Sequence, residues 1–248
     1  MGWQRVARVT AAVLAVVAAT AGCSDDGGGG PKLATPPTTV SAIPDPYRSI
    51  VAQAVVPSVA VYDREGGTTP VQTIAEPNDP PRPLVFLVTQ ERPPLWLEVL
   101  LPVRPNGSKG WIKATDVKLT EHDYRITIRL GVHRITVTKG PDAVVVAPIG
   151  VGKENTPTPG GIYYTKELLR PPRPDTVYGP YAYGLSGFSN TLTSFAGGEG
   201  VLGIHGTNDP GGLGNDVSAG CIRMPNEDIT KLVEQVRLPL GVPVEIIA

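Results

Sequence analysis

Glycine and proline punctuate this chain so densely that long helices are excluded over most of it. The 248 residues include 29 Gly and 27 Pro. Proline removes a backbone donor and clashes with the preceding helical turn, while glycine costs entropy inside any regular element. Between these breakers the apolar residues come in runs of about four to nine, the length of a strand rather than a helix. At 41% of the chain they are still numerous enough to bury a core, and aromatics are only 6%. A mainly β, loop-rich protein is expected.

The first 23 residues read as an export signal. Arg5 and Arg8 form a positive start, Val9 to Ala19 a short apolar stretch, and Thr20-Ala21-Gly22 the small residues that a signal peptidase accepts. The apolar run is too short for a membrane-spanning helix. Ala21-Gly22-Cys23 resembles a bacterial lipobox, with Thr20 where such motifs usually carry Leu. Cys23 is therefore the expected lipidation site, the alternative being a plain cleaved signal in which Cys23 is incidental. From residue 24 to 46 the composition (Gly27 to Gly30, then Pro and Thr) cannot build a core and reads as a flexible linker. An exported protein of the cell envelope, anchored by lipid to the outer face of the cytoplasmic membrane, is the expectation.

Residues 47–120 carry short apolar runs at Val59 to Tyr62, Leu84 to Val88 and Leu95 to Val103. In the third, Leu97, Val99, Leu101 and Val103 alternate with Trp96, Glu98 and Leu100, the period of a strand with one buried face. Pro105-Asn106-Gly107-Ser108 is a strong turn signal before Gly110-Trp111-Ile112. This pattern resembles a small bacterial SH3-like barrel, and its W-x-E-V…G-W-I ending is similar to those found beside cell-wall enzymes. Trp96 and Trp111 are assigned to packing rather than to a ligand.

Residues 121–248 form a second β-rich region. Arg125 to Leu130 and Arg134 to Thr138 flank Gly131-Val132-His133 as a hairpin, and Ala143 to Pro148 is a further strand. A short C-terminal helix is marked by Asn226 as N-cap, by Glu227 and Asp228 in its first turn, and by Ile229, Leu232, Val233 and Val236 on one face. Val242 to Ile247 would be the closing strand. His122 and His133 are expected on hairpin flanks facing solvent.

Charge and cysteine content narrow the chemistry. With 22 basic and 23 acidic residues the net charge is -1, which argues against nucleic acid or any partner held mainly by charge. The chain has two cysteines, so if Cys23 is consumed in processing, Cys221 is the single thiol of the mature protein. An unpaired thiol in an oxidising compartment is kept because it is deeply buried or because it reacts. One available Cys and no close pair of histidines give no basis for a metal site, and no cofactor is expected.

A reacting cysteine needs a base and donors for the developing oxyanion. His205 stands sixteen positions before Cys221 in Gly-rich surroundings, at the end of the strand-like Val201-Leu202-Gly203-Ile204. Gly220 suits a pocket built from backbone N–H groups. Structural readings stand beside these: a satisfied histidine for His205, a turn hydrogen bond for Ser218, an ion pair for Arg223.

Ile204-His205-Gly206-Thr207, a Gly-rich gap, then Ser218-Ala219-Gly220-Cys221-Ile222-Arg223-Met224 resembles the catalytic signature of the bacterial L,D-transpeptidases. The likeness extends through Val151 to Gly161, Tyr178-Gly179-Pro180-Tyr181 and Leu185 to Phe188. It implies a β-rich L,D-transpeptidase catalytic domain in which Cys221 attacks the L,D peptide bond of a peptidoglycan tetrapeptide stem. The resulting thioester would pass to an acceptor amine as a cross-link. By the same resemblance His205 is the base, the Gly206 carbonyl orients its ring, and Ser218 supports the loop. Arg223 would meet a substrate carboxylate, and the N–H groups of Gly220 and Cys221 the oxyanion. The implied partners are stem peptides and a membrane reached through the anchor, with the protein a monomer. Ala219 departs from the family pattern, which has His immediately before Gly-Cys. Hydrolysis of the same thioester, an L,D-carboxypeptidase, and a catalytically degenerate wall-binding lipoprotein are the rival readings.

Overall fold

The computed structural model describes residues 45–76, 82–194 and 199–248. The leader, Cys23 and most of the linker lie outside them.

The N-terminal half is built from β1 (Ser49–Ala54), β2 (Ser58–Val61), β3 (Gln72–Ala75), β4 (Val85–Arg92), β5 (Trp96–Leu100), β6 (Lys109–Lys113) and β7 (Val117–His122). Five of these form an antiparallel sheet in the order β6-β5-β4-β1-β7, and β2 pairs with β3 beside it. The turn between β5 and β6 falls at Pro105 to Ser108, where Ser108 N–H donates to Pro105 O at 3.2 Å and Gly107 takes φ 83. Leu97, Val99 and Leu101 are buried as the alternation required. Leu100, assigned to the opposite face, is buried as well, because a second layer covers that face.

That layer comes from the C-terminal half. Its main strands are β8 (Tyr124–Arg129), β9 (Arg134–Lys139), β10 (Asp142–Pro148), β11 (Val151–Gly152), β12 (Gly161–Leu169), β13 (Ala182–Phe188), β14 (Val201–His205), β15 (Asp216–Ser218) and β16 (Ile222–Arg223). A short helix α1 (Asn226–Thr230) and β17 (Pro243–Ile247) complete it. Eight strands run in the order β10-β9-β8-β17-β12-β13-β14-β16, antiparallel except for the β17–β8 and β14–β16 pairs. β11 pairs in parallel with β15. A mainly β protein with one short C-terminal helix is what forms.

The helix differs in detail from its expectation. Pro225, with φ -55 and ψ 139, occupies the cap position and Asn226 is the first helical residue. Proline suits this helix start, where an N–H would be unsatisfied in any case. α1 then widens into a π-type turn over Lys231–Gln235, closed by Val236 N–H to Lys231 O at 2.9 Å. Ile229 and Leu232 still face the core. His122 and His133 are also less exposed than expected. His122 Nδ1 accepts from Tyr124 N–H at 3.2 Å, and His133 Nε2 lies 2.8 Å from Asp216 Oδ1.

The two sheets share an apolar seam of Val51, Val85, Leu87, Leu100 and Tyr164. Full burial of each such side chain contributes roughly 1.5–3 kcal/mol. Gly241, at φ 83, lets the segment before β17 approach β1; a Cβ there would collide with Val51. At the centre of the seam the Tyr164 hydroxyl, wholly buried, donates to Val85 O at 3.0 Å. Tyr164→Phe is expected to lower the unfolding free energy by about 1 kcal/mol in urea titrations, with the C-terminal sheet unchanged by circular dichroism.

Candidate active site

Strand periodicity places the chemistry. In β14 and β16, Ile204 pairs with Ile222 and both point into the core, 1% and 0% exposed. With a period of two, Gly203 and His205 fall on the opposite face of β14, as do Cys221 and Arg223 in the neighbouring segment. The parallel register His205↔Arg223 brings residues far apart in the chain side by side, with Cys221 two positions before Arg223. A Cβ placed on Gly203 would lie 3.9 Å from His205 Cδ2 and 4.0 Å from Cys221 Sγ, so ring and thiol share the space above that glycine.

The His205 ring is held by its own turn. Nδ1 lies 2.6 Å from Gly206 O. A carbonyl only accepts, so Nδ1 carries the proton and Nε2 is the bare nitrogen. Tyr178 packs edge-on against the ring, centroids 5.0 Å apart. The turn is in turn pinned by Asn226, whose Oδ1 accepts from Thr207 N–H at 2.8 Å. Side chains on Gly179 or Gly206 would collide with Asn226 Oδ1 and with each other's backbone, so only glycine allows this approach.

The cysteine loop is held just as closely. Ser218 Oγ donates to Cys221 O at 2.6 Å and accepts from Gly220 N–H at 3.0 Å. Gly220, at φ 115, adopts a backbone conformation closed to other residues without strain. Its N–H serves the loop in this structure, through Ser218. Thr158 Oγ1 donates to Gly220 O at 2.8 Å and accepts from Gly152 N–H at 2.9 Å. Lys153 N–H and Thr156 Oγ1 both donate to Ser218 O, at 3.1 and 3.2 Å. The Val151 to Gly161 stretch is thus a cradle for the cysteine loop.

Burial sets the protonation states. His205 is 4% exposed, and loss of water pushes its pKa down to about 4, with the Arg223 charge acting in the same direction against the Gly206 carbonyl. Burial also raises the Cys221 pKa, opposed by the Gly203 N–H facing the sulfur and by Arg223. At neutral pH the resting pair is a thiol beside a neutral imidazole. Arg223 is held 3.9 Å from Asp209 Oδ2, and its buried Nε has no partner among the described residues.

Two cavities open on this pair. The wider, about 650 Å³, is walled by Leu168, Leu169, Pro171, Pro172 and Tyr183. The narrower, about 70 Å³, is walled by Leu192, Ser218, Ala219 and Arg223. Tyr178, His205 and Cys221 line both. The structure therefore gathers His205, Gly206, Ser218, Ala219, Gly220, Cys221 and Arg223 at one place. The contributions of Thr158, Tyr178, Gly203 and Asn226 had not been anticipated; of these, Thr158 and Tyr178 lie in the quoted motif stretches.

The depressed His205 pKa has a stability consequence. Between about pH 6.5 and 4 the unfolded chain binds a proton that the folded chain refuses, so stability falls as pH drops through that window. Urea unfolding at pH 7 and pH 4 should show a loss about 3 kcal/mol larger for the wild type than for His205→Gln. Equal losses would mean that the ring is not desolvated.

Comparison with known proteins gives a family match over the C-terminal half. The YkuD family, the L,D-transpeptidase catalytic domain, matches residues 123–246. The YkuD protein of Bacillus subtilis is 35% identical over 109 residues, 44% of this chain and 58% of that one. The YkuD protein of Bacillus licheniformis is 36% identical over 123 residues, 50% of this chain and 65% of that one. The chain thus spans less than two thirds of the length of these relatives. A solved structure, L,D-transpeptidase 3 from Mycobacterium tuberculosis, overlaps 59% of this chain and 77% of its own at 16% identity and a TM-score of 0.42. The chain belongs to the YkuD family of L,D-transpeptidase catalytic domains.

Proposed function

We propose that this protein is a peptidoglycan L,D-transpeptidase with Cys221 as nucleophile and His205 as general base. The observation that carries the reading is the 2.6 Å contact from His205 Nδ1 to Gly206 O, which leaves Nε2 free to take a proton in the space that Cys221 shares. As Sγ bonds to the carbonyl carbon of the L,D peptide bond, its proton passes to Nε2. The tetrahedral oxyanion collapses, the carbon–nitrogen bond breaks, and the departing D-residue amine takes that proton, leaving a thioester. An acceptor amine then attacks the thioester, loses a proton to Nε2, and the sulfur leaves as a thiol. The Cys221 N–H supplies a backbone donor for the oxyanion, and Arg223 in the narrow cavity is suited to a substrate carboxylate.

A neutral resting pair supports base catalysis within the step rather than attack by a preformed thiolate. Ala219 lies in the wall of the narrow cavity as a methyl group, and its backbone needs no side chain to serve the loop. In this reading the leader exports the chain, Cys23 carries a lipid, and residues 24–46 let the folded part reach the wall. Residues 47–120 are an SH3-like accessory module, and the enzyme works as a monomer in the cell envelope.

Intact-mass spectrometry with a carbapenem, the acylating inhibitor type expected for this family, and with a tetrapeptide stem tests the proposal. One adduct on the wild type and none on Cys221→Ser are expected, with D-residue exchange lost by at least about 10³-fold in the variant. Absence of any adduct favours the degenerate wall-binding reading. Release of free tripeptide despite abundant acceptor amine favours the carboxypeptidase.

A further inference from the structure

We propose that Arg104, carried by the N-terminal sheet, is a positioning residue for the active-site thiol. Arg104 stands at the end of the run leading from β5 into the Pro105 to Ser108 turn. Its guanidinium donates to three backbone carbonyls of the C-terminal half: Nη1 to Ser189 O at 2.7 Å, and Nη2 to Leu192 O at 3.2 Å and Glu199 O at 2.9 Å. The same group lies over the Phe188 ring, 4.8 Å from its centroid. Two residues on, Asn106 forms a reciprocal pair with Phe188, donating from Nδ2 to Phe188 O at 2.8 Å and accepting Phe188 N–H at 2.9 Å.

These contacts converge on the walls of both cavities. The flank Phe188 to Leu192 and the flank Glu199 to Val201 meet at Ser189 N–H to Gly200 O, 2.8 Å. Gly200, at φ 70, has no room for a Cβ beside Leu192 O. Ser189, Leu192, Gly200 and Val201 line the narrow cavity; Glu199, Gly200 and Val201 line the wide one. Val201 O in turn accepts from the Cys221 thiol at 4.0 Å. Arg104 therefore ties together two stretches whose far end touches the sulfur. A planar fork with five donors can hold three carbonyls in one geometry; an ammonium cannot reproduce it. On this view the accessory half completes the catalytic site by fixing the wall against which thiol and substrate are aligned.

This rests on the reading of Cys221 as the nucleophile, so the test includes measurements that need no transpeptidase activity. Full-length wild type, Arg104→Met and Arg104→Lys are compared by steady-state exchange on a tetrapeptide stem, by alkylation of Cys221 with iodoacetamide, and by amide hydrogen exchange. Arg104→Met is expected to lower kcat/KM roughly ten- to hundred-fold, chiefly through kcat. It should also change the alkylation rate several-fold and speed amide exchange at Thr191, Leu192 and Val201 while β8, β9 and β17 stay protected. Arg104→Lys should recover only a minor part. If Arg104→Met does not fold, the lysine variant decides alone, with the same signs and smaller size. Unchanged alkylation and unchanged exchange at these amides in a folded variant overturn the proposal. Should wild type show no stem exchange while both thiol alkylation and amide protection respond to Arg104, the activity reading fails and the positioning role stands.

Discussion

The parallel pairing of β14 with β16 is the constraint on which the site depends. Parallel strands cannot be joined by a tight turn, so the chain must leave β14 at His205, travel through a glycine-rich excursion and return beside itself at Ile222. The register then determines the chemistry. Ile204 and Ile222 anchor the pair in the core, and alternation delivers His205 and Cys221 to the other face together. A shift of one residue would turn one of them into the core and bring an isoleucine out.

Such a register needs holding on both sides, and the structure uses hydrogen bonds to backbone groups for it. On the histidine side, Asn226 at the start of α1 reaches Thr207 N–H across a contact that only Gly179 and Gly206 permit. On the cysteine side, Ser218 and Thr158 fix carbonyls and N–H groups of the loop from beneath. Backbone targets suit this task because a carbonyl moves only with its chain, whereas a side-chain partner can rotate away. The N-terminal sheet acts similarly through Arg104 and Asn106, and Tyr164 fastens the two sheets near by.

These features were unequally legible in the sequence. The β5–β6 turn was visible because Pro-Asn-Gly-Ser has one dominant use, and the β8–β9 hairpin because apolar alternation brackets a glycine. β1 went unmarked although it lies between β4 and β7: Ile50, Val51 and Ala52 are buried in succession, which erases the period of two. β13 is buried on every residue for the same reason. His205 and Cys221 could be picked out because their chemistry is rare in this chain. Asn226 and Arg104 could not, since each acts on a carbonyl or N–H far away in sequence, and nothing in a residue's type announces which backbone group it will meet. Asn226 was read as a cap for its own helix; it satisfies a distant turn instead.

His205 is buried and Cys221 partly exposed at the cavities, and loss of water around them bears on both protonation states. Water stabilises thiolate and imidazolium together, so removing water favours the neutral pair. In the proposed reaction, charge appears only as the carbonyl arrives, with nearby dipoles already aimed at it. Gly203 N–H, facing the sulfur, and Arg223 are such groups. A histidine at position 219 would add a polar ring to the wall of a cavity of about 70 Å³. Ala219 puts a methyl group there instead, and Arg223 is the cationic side chain in the lining of that cavity. That guanidinium is balanced by Asp209, 3.9 Å away, while its buried Nε has no partner among the described residues.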